Sequence, residues 1–474
     1  LYKGAFPSKY GGRLSRGIDL TGKVGSFNEI KGNLSVNFLS ASGSIEIPFL
    51  KKFSFFASGR RSFTDLLQTS FFEKIFSQFD PEDDIENLEP FIPTFNFYDV
   101  NSKLSFKPSK DDLITFSFYR GEDNLDESSD TKRYQYPNFG NIDKIEIIGD
   151  LDRISRWGNE GYSFKWSRQW NPKFYNSLNV SYSKYYNHQD DSYFVDVRIP
   201  ELDSTIFDLS VILDQDNSVQ DFTARYDAEI VSGKNNKFEF GAEYTKSEVD
   251  YLFVRDDTLN ITDTDQESKL YSAYISYDLK SVENLNVKIG LRGNRYGFND
   301  KNYFSPRFQF DYSLTDKLKV KAGYGVHYQF VKKIIGEGVT SRSRDFWLLS
   351  EDNNVKVGKS THYVAGLSYE RDAWLINSEI FYKDVENLTE FSLRYRNTGI
   401  RSLFFTGSGT VKGFETLLQK KIEKYTGWIS YTYIDAENIF PLLNDGLSFT
   451  APHTQKNEFK IFNNYEINGW NFSV

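Results

Sequence analysis

The chain has 474 residues, a net charge of −9, no cysteine and no methionine. The acidic balance argues against a nucleic-acid surface, which concentrates positive charge, and without thiols there is no disulfide, thiolate metal site or cysteine nucleophile. Mean hydropathy is −0.54 and no apolar run reaches the length of a membrane helix, but the alternating strands of a membrane β-barrel also average to a polar value.

The first segment, "LYKGAFPSKYGGRLSRGIDLTGK", crowds glycines around Arg13 and Arg16. A phosphate cradle would need such a loop to lead into a helix, whereas Gly17 is followed by the strand alternation Ile18-Asp19-Leu20, so a turn-rich hinge is the better reading. Leu1 opens no secretory signal, so an exported protein is expected to begin upstream of it.

From Phe27 onward the pattern has period two, and the 17% aromatic content favours strands. "DFTARYDAEI" sets Phe222, Ala224, Tyr226, Ala228 and Ile230 against Asp221, Thr223, Arg225, Asp227 and Glu229. "LKVKAGYGVHYQ" sets Leu318, Val320, Ala322, Tyr324, Val326 and Tyr328 against Lys319, Lys321, His327 and Gln329. "KFEFGAEYT", "YSAYISYDL", "LNVKIGLR" and "RFQFDYS" follow the same rule. Alternation alone fits a soluble sandwich as well as a membrane barrel. Many segments run well beyond the usual globular strand of about 5–6 residues and suit a tilted bilayer span.

Short turns are expected at 50–52, 108–112, 171–173, 233–236, 281–284, 315–317, 371–373, 422–424 and 467–469. Between them stand loops near 61–93, 122–157, 192–217, 252–266, 331–357, 389–409 and 437–453, with tight ones at 40–42 and 297–302. One short rim and one long rim is the asymmetry of an outer-membrane barrel. The reading is an all-β, large antiparallel transmembrane β-barrel of about 19 strands, starting near Phe27. Bacterial barrels have even counts, so about 22 is expected in full, with further strands after Val474. Rings such as Tyr271, Tyr312, Trp374, Tyr382 and Trp428 stand near strand ends, where a headgroup belt is expected.

The opening segment resembles the end of the plug domain in TonB-dependent outer-membrane receptors of the Bacteroidetes type. "ASGRRSF", "YFSPRFQFDYSLTDKLKVKAGYGVHYQF", "FWLLSEDN", "EIFYKDVENL" and "VKGFETLLQKK" resemble later parts of the same family. The resemblance implies residues 1–25 as the plug's end and linker and 26–474 as a C-terminally incomplete barrel. It also implies TonB-dependent active uptake of a scarce nutrient: a siderophore, vitamin, oligosaccharide or peptide. Expected partners are the inner-membrane TonB complex, the small ligand, the lipid bilayer and a possible surface lipoprotein lid, with no cofactor. Arg13 is the expected plug anchor, with Glu415 as its barrel partner, and a lumen face carrying Arg225, Glu229, Glu239, Glu243, Lys319 and Lys321 could hold the plug.

Other readings stay open. The loop aromatics Tyr134, Tyr136, Phe139, Phe346 and Trp347 could stack on a ligand or merely pack the loops. The acidic stretches 79–90, 121–130 and 255–267 could hold Ca²⁺, but none has the EF-hand spacing and solvated loops are favoured. His188, His327, His362 and His453 are scattered, with no H-E-x-x-H or G-x-S-x-G pattern to suggest an enzyme; for His453 a structural role is favoured. A passive porin is the main alternative, and it would need no plug.

Overall fold

The computed structural model describes residues 2–3, 6–17, 21–65, 93–139, 142–199, 204–233, 235–280, 282–337, 343–391, 404–452 and 454–474. The acidic stretch 79–90 and His453 lie outside the described residues. No described helix is long and apolar enough to cross a membrane.

A short pairing of β1 (Tyr2–Lys3) with β2 (Arg16–Gly17) precedes the wall. The wall opens with β3 (Lys31–Val36), β4 (Ser40–Phe49), β5 (Phe53–Ser62), β6 (Thr94–Phe106) and β7 (Asp112–Asp126). β8 (Ser129–Phe139) lies on β9 (Ile142–Asn171). The long strands β10 (Phe174–Ile199), β11 (Ser204–Ser232), β12 (Asn236–Arg255) and β13 (Leu259–Leu279) follow, then the shorter β14 (Leu285–Tyr296), β15 (Lys301–Ser313) and β16 (Leu318–Gln329). β17 (Val331–Glu337) and β18 (Ser343–Leu349) form a separate hairpin. The wall resumes with β19 (Gly358–Arg371), β20 (Trp374–Phe391), β21 (Phe404–Ile422), β22 (Tyr425–Ile439), the short β23 (Phe449–Thr450), β24 (Asn457–Ile467) and β25 (Trp470–Ser473).

Successive strands pair antiparallel around a barrel. β16 pairs directly with β19, which leaves the β17–β18 hairpin off the wall. The terminal wall strands β3 and β25 each carry a registered ladder on one side, to β4 and β24, and every residue of both is exposed.

Among the described residues, the expected short turns fall where the alternation breaks. Several are closed by residues in the left-handed region, among them Asn235, Asn284, Asp372 and Asn468, types whose short polar side chains tolerate that backbone. The long rim differs from expectation. Stretches 122–157, 192–217 and 252–266 are largely strand: β9 to β13 continue well past a bilayer's thickness as paired ladders. Their polar residues do not end the strands, because a cross-strand ladder satisfies the backbone whatever the side chains are. The tight turn expected at 40–42 lies at 37–39, where Asn37 Oδ1 accepts from the Leu39 and Ser40 amides at 2.8 Å.

The pleat sorts residues as an inside-out protein does. On β13 to β15 the outward side chains Ile275, Ile289 and Phe304 are more than half exposed, while Ser272, Arg292 and Ser305 are buried on the inner face. The interior is therefore polar and the outside apolar, the reverse of a soluble sandwich.

Candidate functional site

Residues 6–17 and 21–27 lie in the barrel interior, and the wall holds them chiefly by their backbone. Arg307, on the inner face of β15, donates from Nη1 to Phe6 O at 2.9 Å and also to Pro7 O, while its guanidinium lies 4.4 Å over the Phe6 ring. The other face of that ring stacks on His327 of β16 at 4.1 Å, and His327 in turn touches His362 of β19 at 4.7 Å. Ser8 fits over Gly290, where a Cβ would come within 2.1 Å of its Oγ, so glycine is what admits the segment there.

Two residues along, Arg292 of β14 donates from Nη1 to Lys9 O at 3.3 Å, pairs with Glu243 at 2.5 Å and donates from Nε to Asn294 Oδ1 at 3.0 Å. Arg225 completes this group: it lies 3.6 Å from Glu243, donates to Asp227 at 2.9 Å and faces the Tyr10 ring at 5.6 Å. Arg292 is 1% exposed and Arg307 5%. Burying cations so deeply is tolerable only with acceptors in place, and segment carbonyls supply several of them. Farther along, Lys103 donates to Gly22 O at 3.0 Å and Ser105 to Val24 O at 2.7 Å on β6, and Lys107 lies 4.0 Å over the Phe27 ring.

Beyond the segment lies a chamber of about 290 Å³ lined by Gly11, Arg13, Asp221, Glu243, Arg292 and Leu349, among others. Its far side is the root of the β17–β18 hairpin, which folds inward. Asn217 of β11 clamps Trp347 like a strand neighbour: Oδ1 accepts from Trp347 N at 2.7 Å and Nδ2 donates to Trp347 O at 3.2 Å. Gln266 accepts from Leu349 N at 2.9 Å, and Tyr296 donates to Ser350 O at 2.8 Å. Phe346 stacks flat on Tyr251, centroids 4.2 Å apart, in a cluster with Phe253, Ile334, Leu348, Val355 and Phe391.

The residues expected from sequence separate accordingly. Arg13 is exposed, lines the chamber and donates to Gly12 O at 2.9 Å. Glu415 sits on β21 in register with Glu379 and Thr432. Among the described residues no ion pair joins Arg13 to Glu415. Phe346 is 1% exposed and serves the hairpin's packing. Trp347 is half-buried, 6.3 Å from Tyr185. Tyr134, Tyr136 and Phe139 fall on β8, but their side chains lie outside the described residues. Glu239 is held by Lys237 at 2.8 Å and Lys288 at 2.6 Å within the polar inner face. His188 sits on the outward face of β10, between Asp190 and Asp216, each at 2.8 Å.

Arg292 and Arg307, which do most of the holding, were not singled out from sequence. Alternation in "LNVKIGLR" and "RFQFDYS" already puts them opposite the lipid-type residues; what it lacks is any sign of which chain segment they meet.

A family model described as "TonB dependent receptor-like, beta-barrel" matches residues 95–474. The chain belongs to the TonB-dependent receptor family. This receptor is thus an outer-membrane β-barrel of TonB-dependent nutrient uptake. No curated protein matches its sequence. Among solved structures it is similar to the ferric enterobactin receptor PfeA of Pseudomonas aeruginosa (a double mutant): 14% identity, 98% of this chain and 77% of that one, TM-score 0.64. It is also similar to the ferric-catecholate import receptor Fiu of E. coli K12 (12%, 94% and 70%, TM-score 0.59) and to the ferripyoverdine receptor of P. aeruginosa (11%, 93% and 59%, TM-score 0.58). At these identities the likeness is one of fold.

Proposed function

We propose that residues 1–25 are the end of the plug, that residues 26–474 form the barrel scaffold, and that uptake requires the plug's end to leave Arg307 and Arg292. The observation that carries this is the grip of two buried wall arginines on the carbonyls of Phe6, Pro7 and Lys9. Carbonyl acceptors bind without the strength of a carboxylate pair, so the grip suits a segment that must come and go. Arg13, on the chamber wall, is a second point of plug contact in this reading, with Glu415 as a partner in a rearranged state.

The receptor moves its ligand and does no chemistry on it. Ligand is captured at the outer mouth, where Trp347 and the β8 positions Tyr134, Tyr136 and Phe139 are the ring contacts, and Phe346 contributes only when the hairpin unpacks. A ferric siderophore is the first class to try, since the similar structures named above are siderophore receptors. The surface-lipoprotein lid finds no support here and is not part of the proposal. The test is uptake of radiolabelled iron carried by a catecholate siderophore in cells expressing the receptor. Accumulation should vanish when the proton gradient is collapsed; accumulation that persists would mean passive flow and sink the reading.

A further inference from the structure

The lipid-facing wall carries an open depression of about 640 Å³. Its floor is one cross-strand row of small residues, Ala242, Ala273 and Gly293, on β12, β13 and β14. Tyr226 and Phe304 bound it at the sides in the same row, and Tyr244 and Tyr271, 5.2 Å apart, stand above it. Below, Phe240, Ile275 and Leu291 continue the apolar wall.

Positive charge lies beside the rings and in the row directly outward of them. Lys246 and Lys269 are cross-strand neighbours in the next row, and Arg295 is the cross-strand neighbour of Tyr271. Lys246, Lys269 and Arg295 each lie ten positions from the periplasmic end of their strands, at Asn236, Leu279 and Leu285. At the rise and tilt of barrel strands that is about 25 Å, the height of the apolar band, so these cations sit at the outer headgroup level. Their acid partners stand farther out: Glu248 and Glu267 on the next row, and Asp300 in the turn beyond β14. A phosphate at the membrane surface would meet the cations first.

We propose that this depression is a binding site for one phosphate-headed lipid of the outer leaflet, an acyl chain lying between Tyr226 and Phe304 and its phosphate engaged by Lys246, Lys269 and Arg295. An apolar depression beside a cluster of basic residues can favour one lipid over another where a smooth apolar wall does not, because apolar burial and charge act on the same molecule.

The test is native mass spectrometry of the receptor taken from bilayers of equimolar dimyristoyl phosphatidylglycerol and dimyristoyl phosphatidylcholine. The wild type should retain one phosphatidylglycerol in preference, enriched about five-fold for each cation engaged. Ala273→Trp fills the pit from a lipid-facing position and should abolish the retained lipid while leaving the β-sheet circular dichroism unchanged. Lys246→Gln, Lys269→Gln and Arg295→Gln together should keep a lipid bound but erase the headgroup preference. Equal retention of both lipids by the wild type, or undiminished retention by Ala273→Trp, overturns the proposal. Receptor that retains no lipid at all overturns it as well.

Discussion

Arg307 holds Phe6 twice, by a hydrogen bond to its carbonyl at 2.9 Å and by a guanidinium lying 4.4 Å over its ring. One wall residue thus fixes both the backbone and the side chain of the lumen segment. Arg307→Gln removes the charge and the one nitrogen, Nη1, that donates to both Phe6 O and Pro7 O. A hydrogen bond to a charged group contributes about 1.5–3 kcal/mol, so amides of residues 8–10 should exchange with solvent roughly ten- to hundred-fold faster. Arg307→Lys should restore only part of the protection, since an ammonium lacks the planar guanidinium that lies over the Phe6 ring. Unchanged exchange in Arg307→Gln would mean that Arg292 and Ser8 hold the segment without it.

Asn217 stands in for a strand in holding the inward hairpin. Asn217→Ala leaves Trp347 N and O without their partner in a buried setting, at a cost of about 1–3 kcal/mol. Hydrogen exchange of residues 346–349 should quicken while the β11–β12 ladder, including Leu213 to Arg255, stays protected. Loss of protection across β11 as well would show that the wall and hairpin unfold together.

The outer end of the β10–β11 hairpin should be firmer in mild acid. Burial pulls the His188 pKa down, but hydrogen bonds and charge from Asp216 and Asp190 outweigh it and the net direction is up. Asp214, 3.9 Å away, and the cross-strand Arg156 also face the ring. A raised folded-state pKa contributes stability below the ordinary histidine value and loses it as pH rises through the folded value. Exchange at residues 186–190, corrected for intrinsic rate, should therefore be slower at about pH 5.5 than at about pH 8.5. His188→Gln should flatten that difference.

Lys332 gives the opposite sign. It is buried at the start of β17, bonded to Asn387 O and to Thr389 Oγ1 at 3.1 Å, and burial lowers its pKa to about 8. Below that value the hairpin carries a desolvated charge; as pH rises from about 8 toward the unfolded lysine value near 10.4 the unfolded state binds the extra proton and the hairpin gains stability. Lys332→Met should remove this gain without unfolding the hairpin. Thermal melts across that pH range, with the hairpin followed by Trp347 fluorescence, measure both.

Much of this was legible in the sequence because a pleated wall between lipid and a polar interior writes period two into every strand. The nine short turns were fixed by where "TDK", "NPK" or "NG" interrupts it. The long hairpins were misjudged as loops, because the length of a ladder outside the bilayer is set by pairing and not by hydrophobicity: "SYFVDV" and "DLSVIL" look like loop and strand by turns, yet pair residue for residue. Phe346 could be read as a ligand platform or as packing from composition alone, and only its stack on Tyr251 decides what it does in this structure. Arg292 and Arg307 were assignable to the inner face, but the carbonyls they grip carry no signature in any side chain.

The two rims also differ in what lengthening them would do. At Leu50 and Lys51, both in the left-handed region, one added residue would have to be absorbed by a ladder that enters the bilayer at once, and a slip of one position turns every lipid-facing ring toward the polar interior. At Asp256 and Asp257, likewise left-handed, the ladder has already left the apolar band, so an inserted stretch would only raise the hairpin. New sequence, whether acquired by drift or added by design as a tag or epitope, can therefore accumulate at one end of this receptor and is purged at the other.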